Sequence, residues 1–430
     1  MRLHGVPRRR DRLSRAAPGA GVTGKRAARR TVAGRPVSAR RRAQLLDLRD
    51  VVTALRDIGS GLVESRCMRR SGRRVTVMAT SSSDSPQDSR LRTLSPSSFA
   101  LVMATGIVSL GLSDVGLALP SLVLLVLGAG AYVVLAVLYT ARWVRHRDAV
   151  RADMRDPSVA FGYFTIVAGT GVLAVGALGQ GAGPVAVALL VVAAVVWLVL
   201  GYVLPWQVVM AREGESILPR VNGTWFIWCV ASQSVAVGLS SLRDVPSAWG
   251  AVVGFLAVLT WSVGALLYAG IAVLVILRLV HFGMRPEQFE PPYWVAMGAL
   301  AISVVAGAGI VDMPPTPMVD AARGLVAGTV VIFWCCAAWI IPMLVGAGLW
   351  RHVVHRVPLI YTPMLWSIVF PLGMFAHASI RLGRVESVPL VEGVGRGFLW
   401  LAVAAWLLVA ASLVVDLARG RNAAARAARP

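Results

Sequence analysis

The chain has 430 residues, of which 57% are hydrophobic, and its mean hydropathy is +0.69. This composition excludes an ordinary soluble globular protein. The net charge of +22 belongs mostly to the start of the chain, because residues 1–94 hold 23 Arg and Lys against 7 Asp and Glu, whereas residues 95–430 hold 20 against 14.

Residues 1–94 contain few aromatic residues, are rich in Arg, Ser, Gly and Ala, and lack periodicity outside a short helical pattern at 43–58. This predicts a basic disordered extension rather than a segment that binds anionic lipid, and we expect no nucleic-acid partner. No apolar run follows the basic start, which excludes a secretory signal peptide. An alternative is that the native protein begins at Met68 or Met78.

Beyond the extension, apolar runs long enough to cross a bilayer recur with short connections between them. They predict an all-α polytopic membrane protein, with a transmembrane domain over residues 95–417 and a basic cytoplasmic tail over residues 418–430. The ten predicted spans are 96–112, 119–140, 158–178, 184–204, 222–241, 248–278, 293–311, 324–349, 360–380 and 397–416.

One segment occurs three times without a gap, at residues 99–111, 164–176 and 226–238. Each copy starts with an aromatic residue, carries a small residue followed by a hydroxyl near its middle, and ends in glycine. Two fainter copies start at Trp294 and Trp366. Repeats of this length indicate units that bury a face against one another, and in membrane proteins they often surround a central path for solute.

The odd-numbered spans carry Gly, Ser and Thr in their middles, whereas the even-numbered spans are mostly Leu, Val, Ala and Trp. This alternation favours an inner ring of five odd helices inside an outer ring that faces lipid. Close packing between helices is the alternative explanation for any single glycine. The residues predicted to line the path are Ala104, Thr105, Gly106, Gly169, Thr170, Gly171, Ala231, Ser232, Gly298 and Ala299.

Span nine differs from the others because Pro371 removes a hydrogen bond of the helix and predicts a kink near Ser367. The residue before it, Phe370, is aligned in this interpretation with small residues of the other four copies. A ring at that level predicts a hydrophobic gate formed by Phe370 and Pro371. The alternative is a core aromatic that fills the space left by the kink. The aligned small residues are Ala104, Gly169, Ala231 and Gly298.

No Asp or Glu lies in the middle of a predicted span, and His377 is the one histidine within a span. Proton-coupled carriers usually keep an intramembrane carboxylate or histidine relay, so this pattern favours passive passage of a weakly bound solute. Anion selection would come from helix dipoles and from Arg381, Arg384 and Arg396. There is no HExxH, Walker A, CxxC or GxSxG triad motif, so we expect no enzymatic activity, no cofactor and no metal.

The loops after spans two, four, six and eight carry eleven arginines, against five in the opposite loops. The positive-inside rule therefore predicts that the first set of loops and both termini are cytoplasmic. High Arg and Ala with a single lysine, Lys25, indicates a GC-rich bacterial source. These observations predict a multi-pass protein of a bacterial inner membrane.

The repeated segments resemble the tellurite-resistance/dicarboxylate transporter family, which includes malic acid transporters, sulfite efflux pumps and plant slow anion channels. The resemblance is carried by FALVMATGIVSLG at 99–111, GTWFIWCVASQSVAVG at 223–238 and WSIVFPLGMFA at 366–376, and it spans residues 96–415. It implies five helical hairpins around a quasi-five-fold pore, a homotrimer, and a gating phenylalanine at Phe370. Where relatives commonly have Gly-Thr-Gly, this chain has Ala104, Thr105 and Gly106.

Together these features predict transport of small anions across a lipid bilayer, with a C4-dicarboxylate such as malate as the leading substrate. A sulfite or tellurite-related efflux permease is an alternative within transport. A non-conducting membrane scaffold or sensor is the alternative from another class.

Overall fold

The computed structural model describes residues 86–210, 216–242, 245 and 247–427. Most of the predicted disordered extension, including Met68 and Met78, lies outside the described residues, as do residues 428–430. Residues 418–427, predicted as the start of the tail, continue the last helix of the chain.

Within the described residues the chain forms twelve α-helices. Two of them are short: α1 (Pro86–Arg92) and α4 (Arg147–Arg155). The other ten form five consecutive antiparallel pairs that match the ten predicted spans. The pairs are α2 (Ala100–Asp114) with α3 (Ala118–Arg145), α5 (Thr165–Gly179) with α6 (Gly183–Pro205), α7 (Phe226–Ser241) with α8 (Ser247–Phe282), α9 (Val295–Val311) with α10 (Pro317–Leu349), and α11 (Trp366–Val385) with α12 (Pro389–Ala427).

Eight of the ten paired helices are long and apolar enough to cross a membrane, when α5, α9 and α11 are counted together with the 3₁₀ turns that precede them. The other two are α2 and α7, with 15 and 16 residues. The first member of each pair is an inner helix and the second is an outer helix. In α5, α9 and α11, 78% of the most apolar window is buried inside the protein, against 11–28% in the outer helices. The outer helices therefore present a continuous apolar surface to lipid.

The inner helices form a closed ring. Helix α2 packs on α5, α5 on α7, α7 on α9, α9 on α11, and α11 back on α2, while each outer helix packs on the inner helix of its own pair. This confirms the predicted architecture of five helical hairpins around a quasi-five-fold axis.

Each outer helix also bridges to the next inner helix around the ring through one aromatic side chain. Four tryptophans donate from Nε1, and Tyr132 meets a threonine hydroxyl to hydroxyl, with all five donor–acceptor distances between 2.8 and 3.0 Å. An outer helix therefore lies in the groove between two inner helices and ties them together. The five pairs are Tyr132–Thr170, Trp197–Ser232, Trp261–Ser303 (main-chain oxygen), Trp334–Ser379 and Trp406–Thr105.

All five inner helices run in the same direction, because each is the first member of its pair. Their N-termini meet at one end of the protein, here called the near end, and their C-termini meet at the far end. Four inner helices are preceded by a tight 3₁₀ turn, at Ala160–Phe164, Gly223–Trp225, Pro291–Trp294 and Pro363–Leu365. Gly223 permits one close crossing of these turns, since a Cβ there would lie 2.3 Å from the main chain of Pro292.

Helix α1 lies within the stretch whose composition predicts disorder, yet it packs on the near end. Its anchor is Arg142 of α3, whose side chain is 3% exposed and bonds to the carbonyl of Arg92, to the Tyr163 hydroxyl and, at 2.6 Å, to Asp153 Oδ2. Burial raises the pKa of Asp153, and the guanidinium beside it acts in the opposite direction. A hydrogen bond of 3.1 Å between His146 Nε2 and Asp88 Oδ1 holds the same helix.

We predict that Arg142→Met releases α1 from the near end, because it leaves the carbonyl of Arg92 and the carboxylate of Asp153 without their shared donor. Breaking one partner of a buried ion pair costs about 3–5 kcal/mol. The measurement is the thermal midpoint of the purified protein, together with protease cleavage before residue 100. Arg145→Met, at an exposed position of the same helix end, is the control, and equal effects of the two substitutions would contradict the anchor.

Candidate functional site

The ring axis contains a cavity that all five inner helices line. Counting from the aromatic residue that starts each repeat (Phe99, Phe164, Phe226, Trp294 and Trp366) as position 0, the lining side chains fall at positions 8 and 11 of every copy, with Gly171 at position 7. The position 8 layer is Ile107, Val172, Ser234, Ile302 and Met374, and the position 11 layer is Leu110, Val175, Val237, Val305 and His377. The sequence repeat is thus a structural repeat with one register.

That register places Phe370 on the cavity-facing side of α11, because positions 4, 8 and 11 lie along one face of a helix. It also corrects the predicted alignment by one residue. Ala104, Gly169 and Ala231 stand at position 5, together with Pro371, whereas Phe370 stands at position 4 with Gly298. The true counterparts of Phe370 are Met103, Ala168, Val230 and Gly298.

The position 4 layer lies on the near side of the cavity. Phe370 is 1% exposed, and its counterparts are fully or almost fully buried. Phe370 has the largest side chain in this layer, and Met103 is the next largest. The predicted gate position is therefore occupied by a packed layer in which Phe370 is the largest side chain.

The cavity is narrow. Its volume is about 20 Å³, whereas one water needs about 10–15 Å³. It therefore holds one or two water-sized groups and is too small for an extended four-carbon diacid.

Glycines at position 7 set the spacing of the ring. A Cβ on Gly106 would lie 2.2 Å from Val172 Cγ1, one on Gly171 would lie 3.1 Å from Ser234 Cβ, and one on Gly373 would lie 2.9 Å from Ile107 Cγ2. In each case the position 8 side chain of the next inner helix fills the space that glycine leaves. Close helix packing is therefore the role of these glycines, and among the predicted path residues Gly171 is the one that also lines the cavity.

The other small residues predicted to line the path also lie where neighbouring inner helices pack together. A Cβ on Gly298 would lie 2.9 Å from Pro371 Cγ and 3.1 Å from its Cα, and one on Gly169 would lie 3.4 Å from Val102. Pro371 sits inside α11, and the helix continues past it to Val385. Ala104, Ala231 and Ala299, at position 5, are 0% exposed.

The predicted path hydroxyls do not line the cavity. Thr105, Thr170 and Ser232 bond to Trp406, Tyr132 and Trp197 of the outer helices, so they face away from the axis. The physical reason is that an indole N–H or a phenol in an apolar surface requires a partner, and these hydroxyls supply it. The sequence signal for these contacts was a Trp or Tyr near the middle of the even spans. Composition alone assigned those aromatic side chains to the lipid face.

The far end carries a charged cluster that sequence reasoning did not assemble. Nδ1 of His377, a lining residue of the cavity, bonds to the carboxylate of Asp114 at the end of α2. Arg384 donates to the main-chain oxygen of Asp114 at 2.8 Å and to Glu392 at 3.1 Å, and Arg396 reaches the same carboxylate at 2.8 Å. Two of the three arginines predicted to select anions are therefore paired with Glu392.

A closed ring of five parallel inner helices, shielded by outer helices and enclosing an axial cavity, defines a membrane protein of the solute-conducting class. The family model described as voltage-dependent anion channel matches residues 93–414. The chain belongs to this family, whose members transport anions, and it is a multi-pass membrane protein. The resemblance found in the sequence is confirmed.

Two similar proteins agree with this assignment. An uncharacterized membrane protein of Mycobacterium tuberculosis is 49% identical over 152 residues, which are 35% of this chain and 77% of the relative. An uncharacterized transporter of Methanocaldococcus jannaschii is 24% identical over 324 residues, which are 73% of this chain and 90% of the relative.

We predict that Gly298→Ala destabilises the protein by about 1–3 kcal/mol, the usual cost of forcing a methyl group into a packed contact. The contact is with the ring and the Cα of Pro371, and the closed proline ring cannot rotate away. Gly328→Ala on α10 is the matched control, because nothing lies within 4 Å of a Cβ there and alanine in a helix is favoured by up to about 1 kcal/mol. Opposite shifts of the thermal midpoint are expected, and equal shifts would contradict the contact.

Proposed function

We propose that the protein is a passive channel for small anions, with the conducting path along the ring axis and Phe370 as its gate. The observation that carries the proposal is the register of the cavity. Five helices contribute the same two positions to one axial space, and Phe370 lies one helical turn from that space on the same face. Removal of one aromatic side chain would join the cavity to the near end.

The electrostatics of the ring support an anion as the solute. Five inner helix N-termini meet at the near end, and each carries a partial positive charge of roughly half an elementary charge. The cavity lining is apolar apart from Ser234, His377 and the main chain of Gly171. A path with weak, distributed attraction lets an anion enter and leave, which conduction requires.

The leading substrate is a C4-dicarboxylate such as malate, as the resemblance to malic acid transporters implies. Sulfite or tellurite-related efflux is the second candidate, and the narrow cavity favours an anion of that smaller size. Malate requires the ring to widen at positions 8 and 11 as well as at Phe370. Whether malate passes as readily as sulfite therefore indicates how far the ring opens.

We infer that the protein lies in a bacterial inner membrane with the near end and both termini cytoplasmic, and that it forms a homotrimer. The arginine-rich loops after α3, α6, α8 and α10 at the near end support the orientation. The apolar outer helices, with Trp339 85% exposed and Leu266 75% exposed, are compatible with both lipid and subunit contacts.

We predict that Phe370→Ala opens anion flux in proteoliposomes made with the full chain, measured for chloride, nitrate, sulfite and malate. Phe375→Ala is the matched control. Phe375 is equally buried on the same helix, but its ring packs on Trp334 at 5.9 Å and Phe398 at 4.9 Å, on the outer side of the ring. Both substitutions remove a buried phenylalanine, at a cost of about 3–5 kcal/mol.

Flux in the Phe370 variant alone supports the channel and its gate. A non-conducting scaffold or sensor predicts loss of stability in both variants and flux in neither. Flux that appears equally in both variants indicates nonspecific leakage through a damaged bundle and contradicts the gate.

A further inference from the structure

The far mouth of the cavity contains one ionisable side chain. Of the ten side chains in the two cavity layers, nine are uncharged at every pH and the tenth is His377, at position 11 of the last repeat. The four equivalent positions hold leucine or valine. The quasi-symmetry of the ring is therefore broken at this layer by a group that can bear a positive charge.

Asp114 fixes the orientation of that imidazole. The Asp114 carboxylate forms a hydrogen bond with Nδ1, so the other ring nitrogen, Nε2, is the one available to a ligand. The two side chains are 7% and 18% exposed, and a carboxylate that holds one histidine nitrogen is a common way of directing the other at a ligand.

Protonation of His377 changes the mouth in two ways. With a neutral imidazole the pair carries the negative charge of Asp114, which repels anions. With a protonated imidazole the pair is neutral overall and Nε2 becomes a charged donor. One added proton therefore removes a repulsion and creates a binding group.

The other charged groups of the surrounding helices are mostly committed to one another. On its own helix His377 is followed by Arg381 and by Arg384, which donates to the main-chain oxygen of Asp114 and to the carboxylate of Glu392. Helix α12 adds Arg396, which also bonds to Glu392. Helix α9 is followed by Asp312, and on α10 Arg323 pairs with Asp320 at 3.2 Å.

We propose that His377, oriented by Asp114, is the anion-binding residue at the far mouth of the cavity and makes anion passage increase as the pH falls. The inference rests on the proposed channel function and adds to it a binding group and a pH dependence. The ligand is a small anion such as nitrate, or one carboxylate group of a larger anion, since the cavity holds one or two water-sized groups.

The test measures nitrate flux into proteoliposomes of the full chain carrying Phe370→Ala, at about pH 5.5 and about pH 8. We expect half-saturation of flux at about tenfold lower nitrate in acid, the size of one hydrogen bond to a charged group. Adding His377→Gln removes this pH dependence. Adding His377→Arg, which stays charged, keeps the acid-like affinity at both pH values.

His146→Gln is the matched control, because His146 also pairs with an aspartate, Asp88, but lies at the near end outside the cavity. It is expected to leave the pH dependence unchanged. A pH profile that survives His377→Gln, or one that is lost equally in His146→Gln, overturns the proposal.

A second measurement separates this site from the channel itself. Nitrate is added to the protein without the Phe370 substitution, and the thermal midpoint is followed at both pH values with and without His377→Gln. Stabilisation by nitrate in acid that His377→Gln abolishes supports the site even when Phe370→Ala passes no anion, a result that would refute only the channel. Equal stabilisation of both proteins overturns the site.

Discussion

The spacing of the inner helices decides what the axis can hold, and glycine sets that spacing. At three of the five ring interfaces the side chain at position 8 of one helix enters the space left by a glycine at position 7 of its neighbour. The same position 8 side chains form a wall of the cavity. Helix spacing and cavity width are therefore one variable, because close-packed interfaces transmit displacement rather than absorb it. A ring that opens must therefore move these position 8 side chains together out of the spaces beside the position 7 glycines.

The outer helices give the ring a second level of order. Each is tied to two inner helices, by its hairpin and by an aromatic hydrogen bond, and each shows an apolar face to lipid. The bonds are made in a medium without competing water, where an unpaired indole N–H would be costly. This shell keeps the axis away from lipid and in a low effective dielectric, which strengthens the field of the five aligned inner helices along the axis.

The sequence predicted the ring well because the repeat and the alternation between odd and even spans both depend on which helices are buried. It predicted the direction of individual side chains less well. Thr105, Thr170 and Ser232 are small and polar, which fits a water-filled path as well as a contact with Trp or Tyr, and composition does not distinguish the two. The predicted alignment of Phe370 was wrong by one residue. The copies that start at Trp294 and Trp366 lack the hydroxyl that marks the register of the other three. Asp114 and His377 are 263 residues apart in the chain, and no local pattern joins them.

The bond between Trp406 and Thr105 joins residues separated by 301 positions, and it closes the ring between the last hairpin and the first. During synthesis α2 enters the membrane long before α11 and α12 exist. Until they arrive, Thr105 and one flank of the first inner helix face lipid, or whatever occupies their place. An incomplete chain is thus an open arc rather than a smaller ring. The enclosed axis comes into being in a single late step, when the fifth hairpin inserts and the two ends of the arc meet.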